Sequence, residues 1–224
     1  MAAFVLGSDP IARGEVIWPR WGRPTAILLL GVPHGEEQVR VGGVYPLTLR
    51  GEDHILVLMG AVMAVDRTPE GWPLVRWVGG RGRLHIPLRP RYYREVPARV
   101  VLDDAIRESG EVPGRLEGGK RLPAWVRVGE PAHMVLDRVC QAVGVGWRVT
   151  PSGEVEVGPE EWKPGGEFAA ARMHGPGMWL LPLDLEVQPG TEVSLRLGGR
   201  SEQVRVGRVV HRLGRELSTE VWRA

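Results

Sequence analysis

Cys140 is the only cysteine, and His133 precedes it by seven residues. On one helix that spacing is two turns, about 10 Å along the axis, too far for a nucleophile to hydrogen-bond its base. Cys140 therefore reads as a small buried hydrophobe. A single thiol also excludes an intramolecular disulfide and a zinc site built from cysteines of one chain. The six histidines, His34, His54, His85, His133, His174 and His211, are scattered. They form no HExxH and no i,i+4 pair, so their spacing suggests no metal site. Carboxylates adjoin at Glu36-Glu37, Asp103-Asp104 and Glu160-Glu161. Neighbouring side chains diverge on a strand or a helix, so none is a ready acid/base pair. A pair assembled from distant positions stays open. Gly79-Gly80-Arg81-Gly82-Arg83 has a phosphate loop's glycines but lacks its lysine and its strand–loop–helix setting. A flexible β-turn is expected there. Arg20-Trp21 and Arg76-Trp77 fit base stacking. They fit equally a strand on which arginine covers tryptophan. No residue is assigned to catalysis, a cofactor or a metal, and no enzyme activity is expected.

The surrounding composition is that of a globular protein able to bury a sizeable core. Of 224 residues, 43% are hydrophobic and 25% charged. Net charge is +2, from 29 basic and 27 acidic residues, which argues against a dedicated nucleic-acid binder. The apolar runs at 26–30 and 55–65 are far short of the roughly 20 residues of a membrane span. The first residues do not follow the order of a secretory signal, so cytoplasmic synthesis is expected. Lys120 and Lys163 are the only lysines, and asparagine is absent. Loss of heat-labile amides points to a thermophilic source or to GC-rich coding. Nine tryptophans suit either interface hot spots or a tryptophan-rich core.

The 31 glycines and 19 prolines are spread evenly, which favours short strands and many turns. Residues 1–94 read as a small β-barrel part. Its strands are expected at 25–30, 39–49, 55–65 (bent at Gly60), 72–78 and 83–88. Residues 95–163 read as an α/β insertion. Pro97 opens a helix with Val101, Leu102, Ala105 and Ile106 on one face, and Gly110 ends it. Pro131 opens a second helix, striped by Val135, Leu136 and Val139 and closed by Gly144. The stretch 111–129 between them reads as a loop. Pro151-Ser152-Gly153 then turns a hairpin pairing Trp147 with Val157, Arg148 with Glu156 and Val149 with Val155. Residues 164–224 end in a β-meander at 192–197, 203–212 and 217–222, expected to complete a sheet or barrel with the N-terminal third. The fold class is β-rich α+β: two small β-barrel-like parts with a short two-helix α/β insertion.

Three groups of motifs carry a family resemblance. One is Tyr92-Tyr93-Arg94-Glu95-Val96-Pro97-Ala98 leading to Val101-Leu102. The next is Leu122-Pro123-Ala124-Trp125, then Leu136-Asp137 through Gly144, Trp147-Arg148-Val149, Gly153-x-Val155-x-Val157-Gly158 and Glu161-Trp162. The last runs from Pro189-Gly190-Thr191 through Val206-Gly207-Arg208 to Glu220-Val221-Trp222. In order and spacing they resemble the baseplate hub and tail proteins of Mu-like and related bacteriophages, the late-control-D-like tail hub family. Ser152 stands where that family has an acidic turn residue. The resemblance implies a structural hub in the virion tail, assembled in the host cytoplasm. Such a hub forms a ring, possibly a trimer, joining the tail tube to the spike or tip around a channel through which DNA passes. Its partners would be copies of itself, the tube, the spike and other baseplate proteins, with no membrane. No interface residue is identified by it. The competing readings are a tail-associated cell-wall hydrolase and a non-phage β-barrel module binding nucleic acid or sugar.

Overall fold

A computed structural model describes residues 3–224. Six strands, β1 (Ala3–Leu6), β2 (Asp9–Pro19), β3 (Thr25–Leu30), β4 (Val44–Arg50), β5 (Ile55–Arg67) and β6 (Pro73–Gly79), run in the order β1-β4-β5-β6-β3-β2. Pairing of β1 with β2 closes them into a barrel. Alternation explains the packing: Ala26, Leu28 and Leu30 point inward from β3, Leu47 and Leu49 from β4, and Val75 and Trp77 from β6.

The insertion follows, with β7 (Arg91–Pro97), α1 (Ala98–Ser109), β8 (Pro113–Leu116), β9 (Arg121–Arg127), α2 (Ala132–Val143), β10 (Gly146–Val149) and β11 (Val155–Gly158). Gly110 and Gly144 close the two helices in the left-handed conformation. The hairpin has the expected register, Trp147 to Val157 and Val149 to Val155. Both helices press Val101, Leu102, Ile106, Val135, Leu136 and Val139 into one core with the hairpin.

The last part holds β12 (Lys163–Ala169), β13 (Arg172–Met173), β14 (Met178–Pro182), β15 (Thr191–Leu197), β16 (Arg200–Leu213) and β17 (Ser218–Arg223). β15, β16 and β17 form the expected meander, with β14 beside β17. The stretch 163–173 pairs with β15 through β12 and with β14 through β13, wrapping the sheet round a second core of Phe168, Trp179, Val193, Leu195, Val204 and Val221. This part thus encloses its own core and is also joined to the first barrel, because β16 pairs with β2 from Arg208–Pro19 to Leu213–Gly14. β2 divides one edge between β1 and β16 and gives the other to β3.

Several expectations differ from what is seen. Residues 83–88 form no strand: they cross between barrel and insertion as turns, burying Leu84 and Leu88. The stretch 111–129 is not a plain loop. It supplies β8, which pairs in parallel with β11, and β9, which pairs with β7. Strand β2 carries no clear signal because Asp9, Arg13, Gly14 and Glu15 interrupt its apolar alternation, and β1 is only four residues long. The register of β5 shifts between Val62 and Ala64 rather than at Gly60. Gly60 instead makes room for Trp77: a Cβ there would lie 2.2 Å from the indole and 2.3 Å from the Val78 carbonyl oxygen. Neither the buried ring nor the ladder can retreat. Gly60→Ala should therefore cost about 2 kcal/mol through overpacking, read as a lowered midpoint in thermal unfolding followed by circular dichroism.

Candidate functional site: a three-way junction and its surroundings

The end of β2 and the three residues after it touch all three parts. The Arg20 amide donates to the Gly207 carbonyl of the second barrel at 2.8 Å. Gly22 donates to the Trp147 carbonyl and accepts from the Val149 amide, each at 2.8 Å, docking the insertion's hairpin. The Arg20 side chain is only 4% exposed. Its guanidinium lies 3.4 Å from the centre of the Trp162 ring and 5.0 Å from that of Trp21. One nitrogen donates to Glu160 Oε1 at 2.8 Å and another to the Glu161 carbonyl at 3.1 Å. Burial pulls the Arg20 pKa below its ordinary value, with Glu160 opposing that shift. A buried cation is tolerated where a carboxylate, a carbonyl and ring faces replace its water. Arg148 pairs with Glu156 at 2.9 Å, and both line a groove beside this cluster.

The glycine-rich turn is a second anchor. The amides of Arg81 and Arg83 donate to the two carboxylate oxygens of Glu111, at 2.7 and 2.6 Å. Gly80, in the left-handed region at φ 80, lies against Glu111 Oε2, where a Cβ would come within 2.8 Å. The anion this turn cradles is the chain's own buried carboxylate, just past the end of α1. Its charge also faces Arg23, whose pKa burial lowers and Glu111 partly restores. The turn is thus pinned rather than flexible. Within the insertion, Arg127 is fully buried. It pairs with Glu108 and donates to the Arg89 carbonyl at 3.0 Å, holding β9 to α1.

Among the described residues, the side chains with catalytic or ligating chemistry do not converge. Cys140 is 3% exposed, and burial, reinforced by Asp137, pushes its thiol up to about 12. His133 turns away, its Nδ1 3.1 Å from the Leu84 carbonyl. Among the described residues, no three His, Cys, Asp or Glu side chains gather as metal ligands. Asp103 pairs with Arg107 while Asp104 serves Arg91 and Tyr93. Glu160 and Glu161 also divide, one giving its side chain and the other its carbonyl to Arg20. Arg76 pairs with Asp66 at 3.3 Å on the first barrel's outer face. Four of the nine tryptophans, Trp18, Trp77, Trp147 and Trp179, are buried, while Trp72 is 41% exposed. Arg20, Glu111 and Arg127 carried no sequence signal as anchors, since their partners lie 19 to 140 residues away.

His211 is the one fully buried histidine among the described residues. Thr219 Oγ1 donates to the Asp184 carbonyl at 3.0 Å, so its proton is committed. His211 Nδ1, 3.1 Å away, must then donate to Thr219, leaving Nε2 bare and without a partner. Desolvation lowers the His211 pKa to about 4. The folded state therefore binds fewer protons than the unfolded chain between about pH 4 and 6.5. This contribution is complete above pH 6.5 and is lost as pH falls toward 4. Wild type should lose about 3 kcal/mol more than His211→Gln across that window, measured by urea unfolding at a series of pH values.

No protein-family model matches the sequence, and the search of curated proteins finds no relative. Solved structures do match. The 43 kDa tail protein of prophage MuSo2 from Shewanella oneidensis superposes with a TM-score of 0.74 at 9% identity, covering 99% of this chain and 97% of that one. A tail protein from Neisseria meningitidis gives 0.69 at 10% identity, covering 98% and 94%. An E. coli component of the type VI secretion system gives 0.72 at 12% identity, covering 97% of this chain and 75% of that one. That protein is itself described as structurally similar to T4 bacteriophage tail proteins. The resemblance read from the motifs thus extends to the whole fold, which is shared with a prophage tail protein and a second bacterial tail protein.

Proposed function

We propose that this chain is a structural hub of a phage-type tail: a ring-forming subunit that joins the tail tube to the spike or tip and surrounds the channel between them. The observation that carries the reading is the weld between the barrels. β2 belongs to the first barrel and pairs with β16 of the second, and the buried Arg20 fastens the insertion to both. Such a body transmits force without an internal hinge. A full-length fold match to tail proteins supports the same conclusion.

The two barrels of one chain offer one tube-like unit each, so three copies would present six around one axis. The three parts, residues 1–94, 95–163 and 164–224, would divide the work: barrels around the channel, insertion between neighbours or toward the outside. The chemistry agrees: Glu111 and His133 contact distant segments through their side chains, and Cys140 is buried in the insertion's core. Partners would be further copies, tube, spike and other baseplate proteins, with DNA passing only through the channel. The site of action would be the virion tail, after assembly in the host cytoplasm. The amide-poor sequence suits a hot host.

Native mass spectrometry and negative-stain microscopy of the full chain, alone and with the adjoining tail proteins, test this reading. The expected result is closed rings with an open centre that bind tube and tip proteins. A monomer at every concentration that ignores tail proteins would overturn it.

A further inference from the structure

The β7–β9 ribbon turns Tyr93, Trp125 and Arg127 toward the helices and leaves its other face bare. On that face Tyr92 lies directly opposite Val126, and they are 63% and 55% exposed. Val128, next on the same face, is 48% exposed. Alternation normally puts polar side chains on a solvated face, so a continuous apolar one marks a contact surface. Neither strand pairs with a third. The exposed charges around it are mainly positive, with Glu95 the one exposed carboxylate of the ribbon. Arg89, Arg94 and Arg121 are exposed. None of the three has a carboxylate partner among the described residues, whereas nearby Arg91 pairs with Asp104.

A surface of opposite character lies where the two barrels meet. The β4–β5 turn faces the stretch 182–186 across a groove of about 560 Å³. Leu183, Leu185 and Leu217 supply its apolar lining. Its charged lining is Glu52, Asp53, Asp184 and Glu186, with His54 3.0 Å from Glu186, and no lysine or arginine takes part.

We propose that the ribbon of one copy docks in this groove on the next copy. Apolar side chains would meet at the centre, with guanidinium groups facing carboxylates around them, the usual anatomy of a specific interface. The ribbon belongs to the insertion and the groove to the barrels, and they share no residue. The contact is therefore head-to-tail. It repeats from copy to copy and closes into a ring when the rotation per subunit divides a full turn. The inference rests on the ring reading above and supplies one contact for it.

The test is a charge swap in the full chain, read by sedimentation velocity. One variant carries Arg94→Glu and Arg121→Glu, the other Glu52→Arg and Glu186→Arg. All four positions are exposed, and circular dichroism reports whether each variant folds. Each variant alone should associate at least ~10-fold more weakly than wild type. A third variant carrying all four reversals should assemble again, because every reversed ribbon then meets a reversed groove, whatever the number of copies in the ring. The uncharged change Tyr92→Ser should weaken assembly as well. Oligomers indifferent to both reversals would overturn the contact while leaving a ring built through another surface. Loss without recovery in the variant with all four reversals would overturn it too. Wild type that stays monomeric would remove the ring reading and this contact together.

Discussion

The structure depends on one buried cation. Arg20 sits where the first barrel, the insertion and the second barrel meet, and each supplies something it needs. The first barrel supplies the strand it ends. The insertion docks its hairpin on the adjoining Gly22. The stretch leading into the second barrel supplies Glu160, the Glu161 carbonyl and the Trp162 face. An isolated charge in such a place would be expelled or would force the parts to open to water. Because these replacements for water come from the stretch 160–162, some 140 residues away, satisfying the charge and closing that stretch over the end of β2 are the same event.

The same logic recurs at two other places. A turn rich in glycine and arginine looks made for a phosphate, and its amides do hold an anion, the side chain of Glu111. A buried arginine in the insertion is answered by Glu108 and a backbone carbonyl. In each case polar groups that could have served a ligand serve the joint between elements. That use of polar chemistry suits the structural role proposed above.

The elements legible in the sequence are those fixed by near neighbours. Both helices announce themselves through a proline at the start, a glycine in the left-handed region at the end and a stripe between. The 147–157 hairpin is fixed by its turn and its cross-strand pairs. What could not be read is non-local. β7 and β9 are separated by a helix and a strand, and β8 lies parallel to β11 from about 40 residues away. β2 is masked by charged residues: Asp9 accepts the amides of Gln38 and Val39, Arg13 is exposed, and Glu15 pairs with Arg212 on β16. Glu111 and Arg20 look like any surface charge until distant segments close over them. The apolar face of the ribbon was hidden likewise, because its alternation emerges only once Tyr92 is seen across from Val126.

If Arg20 couples the three parts, the whole chain should unfold as one unit, and removing the guanidinium should uncouple it. Tryptophan fluorescence beside far-ultraviolet circular dichroism during urea unfolding reads this directly, since Trp21 and Trp162 flank the site. The expected outcome is a single coincident transition in wild type, and in Arg20→Leu an early fluorescence change that precedes the loss of secondary structure. Two separate transitions already in wild type, or an Arg20→Leu curve that overlays it, would contradict the account.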